Sequence, residues 1–390
     1  MSRLCAYCGR EKDENDFSDE HVIPAALGGD LPPQNPFLLK DVCQRCNNLC
    51  GIYVDGPFIR SWLTQNDRAV SALKGVSVGP RTILPLSYCG ELRQFAYDDR
   101  ICDLWVGPTG DSIYHFHRPY PAEPDSGFVV GRPPHAFRSE IDPGFVFLFV
   151  RSTNRIWWPC IFLSVVSQFR KKKVIEPKFY LGNGPAFERI GFSKIPEQLS
   201  ELHQRLKGMY GKEHDAIFQI DKHQGERFLA KIALGLGSLV LNDSFWASQS
   251  AKLLREYLWQ KDWRKREQMG LRRTGWIGGE RRLSDFLKWP SGHILTLLVR
   301  NQMLFLNAHF YEMQAAIIVV SEEPKHWECK IADDDGIIYV ISPGLRTFIG
   351  PRKLATLIDY KLGLNSEATS EFRDLESRVR ASVLPPFETP

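Results

Sequence analysis

The chain has 390 residues, of which 43% are hydrophobic and 25% are charged, and its formal net charge is +4 at pH 7. This length exceeds what one ordinary domain needs, so we expect two or three domains with substantial cores. No apolar run approaches the roughly 18 residues that a membrane-spanning helix requires, and no signal peptide is recognisable after Met1. These features exclude an integral membrane protein and lead us to expect a soluble, cytoplasmic one.

The charge is distributed unevenly along the chain. Residues 1–56 contain five lysines and arginines against nine aspartates and glutamates, a net charge of −4, so the remainder carries +8. If the acidic N-terminal segment acts on a polyanion, its attraction for that polyanion must come from a bound cation or from the basic remainder.

Hydrophobic periodicity predicts the elements in chain order. Residues 1–56 are rich in turns, and 57–79 have the apolar spacing of a connecting helix. Residues 80–195 contain short β-branched and aromatic segments, which predict a β-rich lobe. Residues 196–390 predict a helical middle followed by further strands and C-terminal helices, either as a separate lobe or as one domain with the preceding one. Because strands and helices do not alternate regularly, we predict an α+β fold with antiparallel sheets.

Four of the nine cysteines form two C-x2-C pairs. Cys5 and Cys8 are followed, after 34 intervening residues, by Cys43 and Cys46. Two such pairs suit a tetrahedral zinc site, because each tight turn presents two sulfurs to one ion, and a segment this small needs the metal to fold. The sequence therefore predicts structural Zn²⁺ bound by these four residues, with Cys50 outside both pairs.

Polar residues lie between and beside the two cysteine pairs. Glu20 precedes His21 in "DEHVIPAALGGD", Asn35 follows in "QNPF", and Asn47 comes directly after the last cysteine in "CQRCNN". This arrangement resembles the zinc-ribbon branch of the HNH endonuclease family. The resemblance covers about residues 3–51 and implies a ββα fold, two strands and a helix around a catalytic divalent metal. It leaves the other 85% or so of the chain unassigned.

The resemblance implies a role for each matching residue. His21 would be the general base, Asn35 would order the loop and orient that histidine, and Glu20 and Asn47 would bind the catalytic Mg²⁺ or Mn²⁺. The sequence differs from the usual family pattern in having glutamate where aspartate is common and asparagine at the final position. Asn48 is an alternative ligand to Asn47. Phosphodiester hydrolysis needs a base of near-neutral pKa and a hard cation bound by oxygen atoms, which fits these residue types.

Two further patterns are open to two interpretations each. Residues 252–288 are basic and contain interleaved tryptophans, which fits either a nucleic-acid surface or a solvated helix whose tryptophans pack inward. The candidate phosphate-binding residues there are Arg255, Lys261, Arg264, Lys265, Arg266, Arg272 and Arg273. His115 and His117 alternate in "YHFH" and so share one strand face, as either a metal site or a polar sheet face.

We therefore expect a metal-dependent endonuclease that cuts DNA and has a C-terminal region that recruits or regulates it. By architectural analogy alone, this resembles bacterial antiphage defence effectors in which an HNH nuclease responds to an activating nucleotide or a guide-loaded partner protein. The alternatives are a restriction or homing-type nuclease whose C-terminal domain reads DNA directly, and a non-catalytic zinc-ribbon adaptor that binds nucleic acid.

Overall fold

The computed structural model divides the chain into two compact units. Unit 1 comprises Met1–Ile59 and Lys222–Ser382, and unit 2 comprises Arg60–Asp221 and Val383–Pro390. The structure describes residues 2–32, 34–75, 83–119, 144–152, 155–169, 178–181, 188–217, 223, 225–241, 243–276, 286–328, 330–331 and 335–381. The N-terminal segment, residues 1–59, forms one unit with residues 222–382.

The strands of the described residues are β1 (Ser2–Leu4), β2 (Glu11–Asp13), β3 (Phe17–His21), β4 (Leu38–Cys43), β5 (Ser87–Glu91), β6 (Ile101–Val106), β7 (Ser112–His117), β8 (Phe145–Phe149), β9 (Lys178–Tyr180), β10 (Phe192–Ser193), β11 (His293–Arg300), β12 (Met303–Phe310), β13 (Gln314–Ser321), β14 (Gly336–Ser342) and β15 (Thr347–Lys353). The α-helices are α1 (Gln44–Cys50), α2 (Gly56–Ile59), α3 (Trp62–Gly75), α4 (Trp158–Phe169), α5 (Ser200–Met209), α6 (Glu226–Val240), α7 (Gln249–Trp259), α8 (Trp263–Gln268), α9 (Leu354–Lys361) and α10 (Ser370–Ala381). No helix among the described residues is both long and apolar enough to cross a membrane.

The N-terminal part of unit 1 consists of two small antiparallel hairpins and a helix. β1 pairs with β2, and β3 pairs with β4, with a register irregularity between Ser18 and Glu20. α1 begins directly after Cys43, at the end of β4. The β3–β4 hairpin followed by α1 is the small two-strand and helix arrangement that the sequence predicted for this segment.

The rest of unit 1 is a five-stranded antiparallel sheet with helices. Its strand order is β13-β12-β11-β14-β15, and α6 and α7 pack together and against β13. Ile338 and Val340 alternate along β14, so both face the same side of the sheet, where they form a core with Leu357 of α9 and Phe372 of α10. The glycine before α6 is required, because Gly225 has φ +76° and an added Cβ would lie 2.6 Å from the Trp276 indole nitrogen.

Unit 2 contains a six-stranded sheet in the order β10-β9-β8-β7-β6-β5. β5 to β8 are antiparallel, whereas β8, β9 and β10 pair in parallel. α4 contributes Ile161 and Val165 to a core with Trp105 and Ile113, and α5 contributes Leu202 to a second core with Tyr114. Ile113 and Tyr114 are neighbours on β7, so these cores lie on opposite faces of the sheet. The predicted α+β class is confirmed, with a mixed sheet in this unit.

Candidate active site

The four cysteines of the two C-x2-C pairs come together. One sulfur from each of Cys5, Cys8, Cys43 and Cys46 lies within 4.8 Å of the others. Cys5 and Cys8 lie in the turn between β1 and β2, while Cys43 ends β4 and Cys46 lies in the first turn of α1. The predicted set of four is therefore assembled, and four thiols so close together fit a tetrahedral zinc ion. Cys50 does not belong to this set.

The thiols of this cluster shift one another's pKa. The pKa of Cys5 falls to about 4, chiefly because the Cys46 thiol donates a hydrogen bond to it, and the same bond raises the pKa of Cys46. Burial raises the pKa of Cys8. Because thiolates this close repel one another, all four can ionise together only around a positive ion, which is what Zn²⁺ supplies in such sites.

α7 fixes the first cysteine turn from outside the ribbon. Arg255 donates from Nε to the carbonyl oxygen of Ala6 at 2.7 Å, and Trp259 donates from its indole N–H to the carbonyl oxygen of Tyr7 at 2.8 Å. Both acceptors are backbone groups between Cys5 and Cys8, so the zinc turn is held in place by a helix some 250 residues further along the chain.

Asn35 is fixed by three hydrogen bonds, one of them to His21. Its Oδ1 accepts from the backbone N–H of Phe37 at 2.9 Å, and its Nδ2 donates to the carbonyl oxygen of Gly29 at 2.9 Å. These two backbone partners determine which end of the amide is which. The same Nδ2 lies 3.1 Å from Nδ1 of His21, so Nδ1 is the acceptor and the neutral ring carries its proton on Nε2. The sequence-predicted pair is thus brought together.

Asn47 connects α1 to β3. Its Nδ2 donates to Oγ of Ser18 at 3.1 Å and to the carbonyl oxygen of Asp19 at 2.9 Å. Because the amide nitrogen is used in these bonds, Oδ1 is the atom of this side chain that suits a cation. The neighbouring Asn48 is exposed.

Glu20 lies in a buried cluster with Lys231 and Asp55, which we name the Lys231 ion-pair cluster. Lys231 is fully buried, and its ammonium lies 2.6 Å from Oε1 of Glu20 and 3.0 Å from Oδ2 of Asp55. It also donates to the backbone carbonyl oxygens of His21 at 3.1 Å and of Val22 at 3.2 Å. The carboxylate that the family resemblance assigns to a divalent cation therefore has an ammonium as its direct partner, through one of its two oxygens.

Burial and charge act in opposite directions within this cluster. Burial raises the pKa of Glu20 and of Asp55, and the nearby ammonium only partly offsets the effect. Burial alone would lower the pKa of Lys231, but the two carboxylates outweigh it and raise that pKa. The lysine is therefore ammonium at neutral pH, and it binds the peptide carbonyl groups on both sides of Val22.

A glycine permits the close approach of α6 to this strand end. An added Cβ at Gly235 would lie 2.7 Å from both Cγ atoms of Val22. Any larger residue would push α6 away from β3 and would separate Lys231 from the two carbonyl oxygens.

One local arrangement combines the paired cysteine turns, the β3–β4 hairpin with α1, and the contact between His21 and Asn35. The HNH endonuclease family model matches residues 5–63. This match confirms the family resemblance for the N-terminal segment and supports a nuclease, while it leaves the remaining residues unrecognised. No curated protein and no solved structure matches the chain.

Beyond this HNH segment, the structure corrects part of the predicted nucleic-acid surface. Arg266 is buried and lies 3.2 Å from Oε2 of Glu226, and Arg273 lies 2.7 Å from Oε1 of the same carboxylate. Tyr257 donates to Glu226 at 2.8 Å as well. Two of the seven predicted phosphate-binding residues thus neutralise an internal glutamate, which the charge run alone did not reveal.

Four other basic residues of the predicted surface are exposed: Lys261, Arg264, Lys265 and Arg272. Lys261 lies 5.7 Å from the ring centre of Tyr53, which is 52% exposed, and Arg264 lies 4.9 Å from the ring centre of Trp263. Not all of the tryptophans are available to stack on bases, since Trp276 and Trp289 are buried. Among the described residues of 252–288, the predicted mixture of cations and at least partly exposed aromatic rings therefore lies around α8.

Sequence reasoning missed Lys231 and Asp55. Lys231 interrupts the apolar run "RFLAKIALGLG", and a lone lysine within a helix that is otherwise buried is a signal for a paired cation. Asp55 follows α1 in a segment that was treated as the end of the ribbon. The sequence does not show that either residue belongs to a cluster with Glu20, because that cluster forms only when α6 packs against β3.

Proposed function

We propose that this protein is a metal-dependent HNH endonuclease that hydrolyses phosphodiester bonds in DNA. The observation that carries the proposal is the contact between Asn35 and His21, in which a side chain with two backbone anchors meets Nδ1 of a partly exposed imidazole. A zinc ribbon that only binds nucleic acid has no need for such an oriented base.

In the proposed reaction, the attacking water replaces the Asn35 amide as the donor to Nδ1 of His21, and this nitrogen, which carries no proton in the neutral ring, then accepts the proton of the water. Asn35 is a positioning residue, since its two backbone anchors hold the amide beside that nitrogen and so orient the ring before the water binds. A bound Mg²⁺ or Mn²⁺ would stabilise negative charge on the phosphate and the leaving oxygen. We assign Oδ1 of Asn47 and the second carboxylate oxygen of Glu20 to hold it, which suits the oxygen preference of these ions.

The Lys231 ion-pair cluster has a second consequence for this site. The ammonium donates to the carbonyl oxygen of His21 itself, so α6 determines where the base lies along β3. We propose that residues 222–382 recruit or regulate the nuclease through this packing. α7, which holds the zinc turn through Arg255 and Trp259, supports the same role.

Plasmid cleavage with Mg²⁺ or Mn²⁺ tests the nuclease assignment. Wild-type protein should cut, His21→Ala should not, and Asn47→Ala should need more metal than wild type. Asn48→Ala is the matched control, because it removes the adjacent exposed amide and should leave the metal requirement unchanged. Cleavage by His21→Ala at the wild-type rate, in preparations free of contaminating nuclease, would contradict the proposed mechanism.

A regulated nuclease can be silent without its activator. If wild type does not cut, the assay is repeated with cyclic oligonucleotides and with a guide-loaded partner protein, because we propose a bacterial antiphage defence role in which cutting is gated. Sequence-specific binding by the full-length His21→Ala protein would instead favour the restriction or homing-type alternative. Binding without cleavage under all of these conditions would favour the non-catalytic adaptor.

A further inference from the structure

Unit 2 contains a buried polar cluster that the nuclease proposal does not use. Asp103 on β6 and His115 on β7 are directly opposite each other in the antiparallel pair, and His117 follows two positions later on the same face. One candidate ligand atom from each of the three lies within 4.8 Å of the other two. All three are buried, and Ile113 and Trp105 on the same two strands pack with α4 in an apolar core.

The hydrogen bonds of His117 are typical of a metal ligand. Its Nδ1 lies 2.8 Å from the carbonyl oxygen of Arg118, and since a carbonyl only accepts, Nδ1 carries the ring proton. In the neutral ring, Nε2 then carries a lone pair, and this atom lies 2.9 Å from Oδ2 of Asp103. Two acceptor atoms 2.9 Å apart, Nε2 of His117 and Oδ2 of Asp103, require either a bound metal ion or a second proton on the imidazole ring.

The surroundings of Asp103 support the metal. Tyr88 donates its hydroxyl to Oδ1 of Asp103 at 3.2 Å, so the oxygen that faces away from His117 is itself held. A histidine that donates its other N–H to a backbone carbonyl and a carboxylate that accepts an outer hydrogen bond are the usual second shell of a protein metal site. The His115 ring lies 4.5 Å from the His117 ring, centre to centre, which brings a second imidazole to the same place.

We propose that Asp103, His115 and His117 form a second metal site in this chain, one that binds Zn²⁺. Bonds of about 2.0–2.1 Å to imidazole nitrogen and carboxylate oxygen put tetrahedral ligand atoms about 3.3 Å apart. This distance lies between the 2.9 Å of the His117–Asp103 pair and the 4.8 Å within which all three ligand atoms lie. Two imidazoles and one carboxylate suit a borderline ion of this kind better than Mg²⁺ or Ca²⁺. The site is independent of the thiolate cluster and of nuclease activity. A cation there neutralises a carboxylate buried within the sheet.

Metal analysis of the full-length protein tests the site. After saturation with Zn²⁺ and removal of loose metal, wild type should hold about two zinc ions per chain, one in each of two separate sites. His117→Gln and Asp103→Asn should each hold about one. His214→Gln is the matched control, because it removes an imidazole from the same unit outside the cluster, and should still hold about two. A wild-type ratio of one overturns the proposal.

A second measurement keeps the test decisive if the cluster variants do not fold. Cys43→Ser combined with Asn47→Ala, which removes a ligand of the proposed catalytic cation, should retain one bound ion, and with Co²⁺ this ion should show visible d–d absorption without the thiolate charge-transfer bands of a cysteine site. If this folded double variant holds no metal, or if all bound Co²⁺ shows thiolate bands, then His117 and Asp103 share a proton and the site is not a metal site.

Discussion

Lys231 donates to the backbone carbonyl oxygen of His21 at 3.1 Å, which connects the proposed base directly to a buried helix far along the chain. The same ammonium binds Glu20, so one cation determines both the position of the strand end and the environment of the adjacent carboxylate. The N-terminal segment therefore depends on residues 222–382 for its geometry. Both belong to the same compact unit.

Replacing Lys231 with methionine should therefore destabilise the protein strongly. Lys231→Met keeps a similar length but leaves Glu20 and Asp55 buried without a cation, which costs about 3–5 kcal/mol when one partner of a buried pair is removed. Denaturant unfolding measures this. Lys330→Met is the control, since Lys330 is exposed and donates to the backbone carbonyl oxygen of Leu241. Equal effects of the two substitutions would contradict the structural role of the cluster.

Wild type and Lys231→Met should also differ in how their free energy of unfolding depends on pH. Because the pKa of Lys231 is raised in the folded state, the stabilisation from its charge is fully present below its ordinary pKa and is lost as pH rises through the raised value. Wild-type stability should thus be maintained through the mildly alkaline range and should decline above it. Lys231→Met lacks this group, so its unfolding free energy should show a smaller alkaline decline.

Glu20 can be tested for its two proposed functions separately. Glu20→Gln keeps the shape of the side chain but removes its charge, so it should reduce stability through the loss of the pair with Lys231. If the second oxygen also binds the catalytic cation, the Mn²⁺ concentration for half-maximal cleavage should rise at least about tenfold. An unchanged Mn²⁺ requirement in a destabilised variant would show that Glu20 is purely structural, and Glu20→Asp should then fail to restore stability.

The parts of this site that were predictable from sequence are the local ones. The cysteine pairs, His21, Asn35 and Asn47 lie within about fifty residues at fixed offsets, so a motif was sufficient to group them. The pairing of Glu20 with Lys231 depends on α6 packing against β3, and nothing in either segment alone indicates the other. Arg266 and Arg273 were misassigned for the related reason that a run of basic residues does not reveal a buried Glu226 opposite it.

Asn35 should affect turnover more than DNA binding. Asn35→Asp keeps the acceptor for the N–H of Phe37 but replaces the donor to Nδ1 of His21 with a second acceptor. Since a positioned base contributes about 10²–10⁴-fold, we expect kcat to fall by about 10²-fold with little change in KM. A rise in KM at constant kcat would show that Asn35 acts on substrate binding instead.

The cysteine cluster should be required for folding and, through it, for cleavage. Cys43→Ser should lose the ribbon zinc and unfold at a lower temperature, because zinc binding supplies folding free energy in such small ribbons. Cys50→Ser is the matched control, since Cys50 is a buried thiol on α1 outside the four-cysteine cluster. A Cys43→Ser protein that keeps its full thermal stability but no longer cuts would assign that cysteine to catalysis rather than to structure.

The exposed basic residues around α8 give the last prediction. In a His21→Ala background, which prevents cleavage, the triple substitution of Lys261, Arg264 and Lys265 by alanine should weaken DNA binding. It should also reduce, by about three, the magnitude of the slope of the logarithm of the DNA association constant against the logarithm of salt concentration, if each residue contacts one phosphate. Alanine at Arg300, Lys330 and Lys353, three exposed basic residues elsewhere in unit 1, removes the same charge and is the control. If both triple variants lower affinity equally, net charge alone attracts DNA and the tryptophan-containing α8 surface has no specific role.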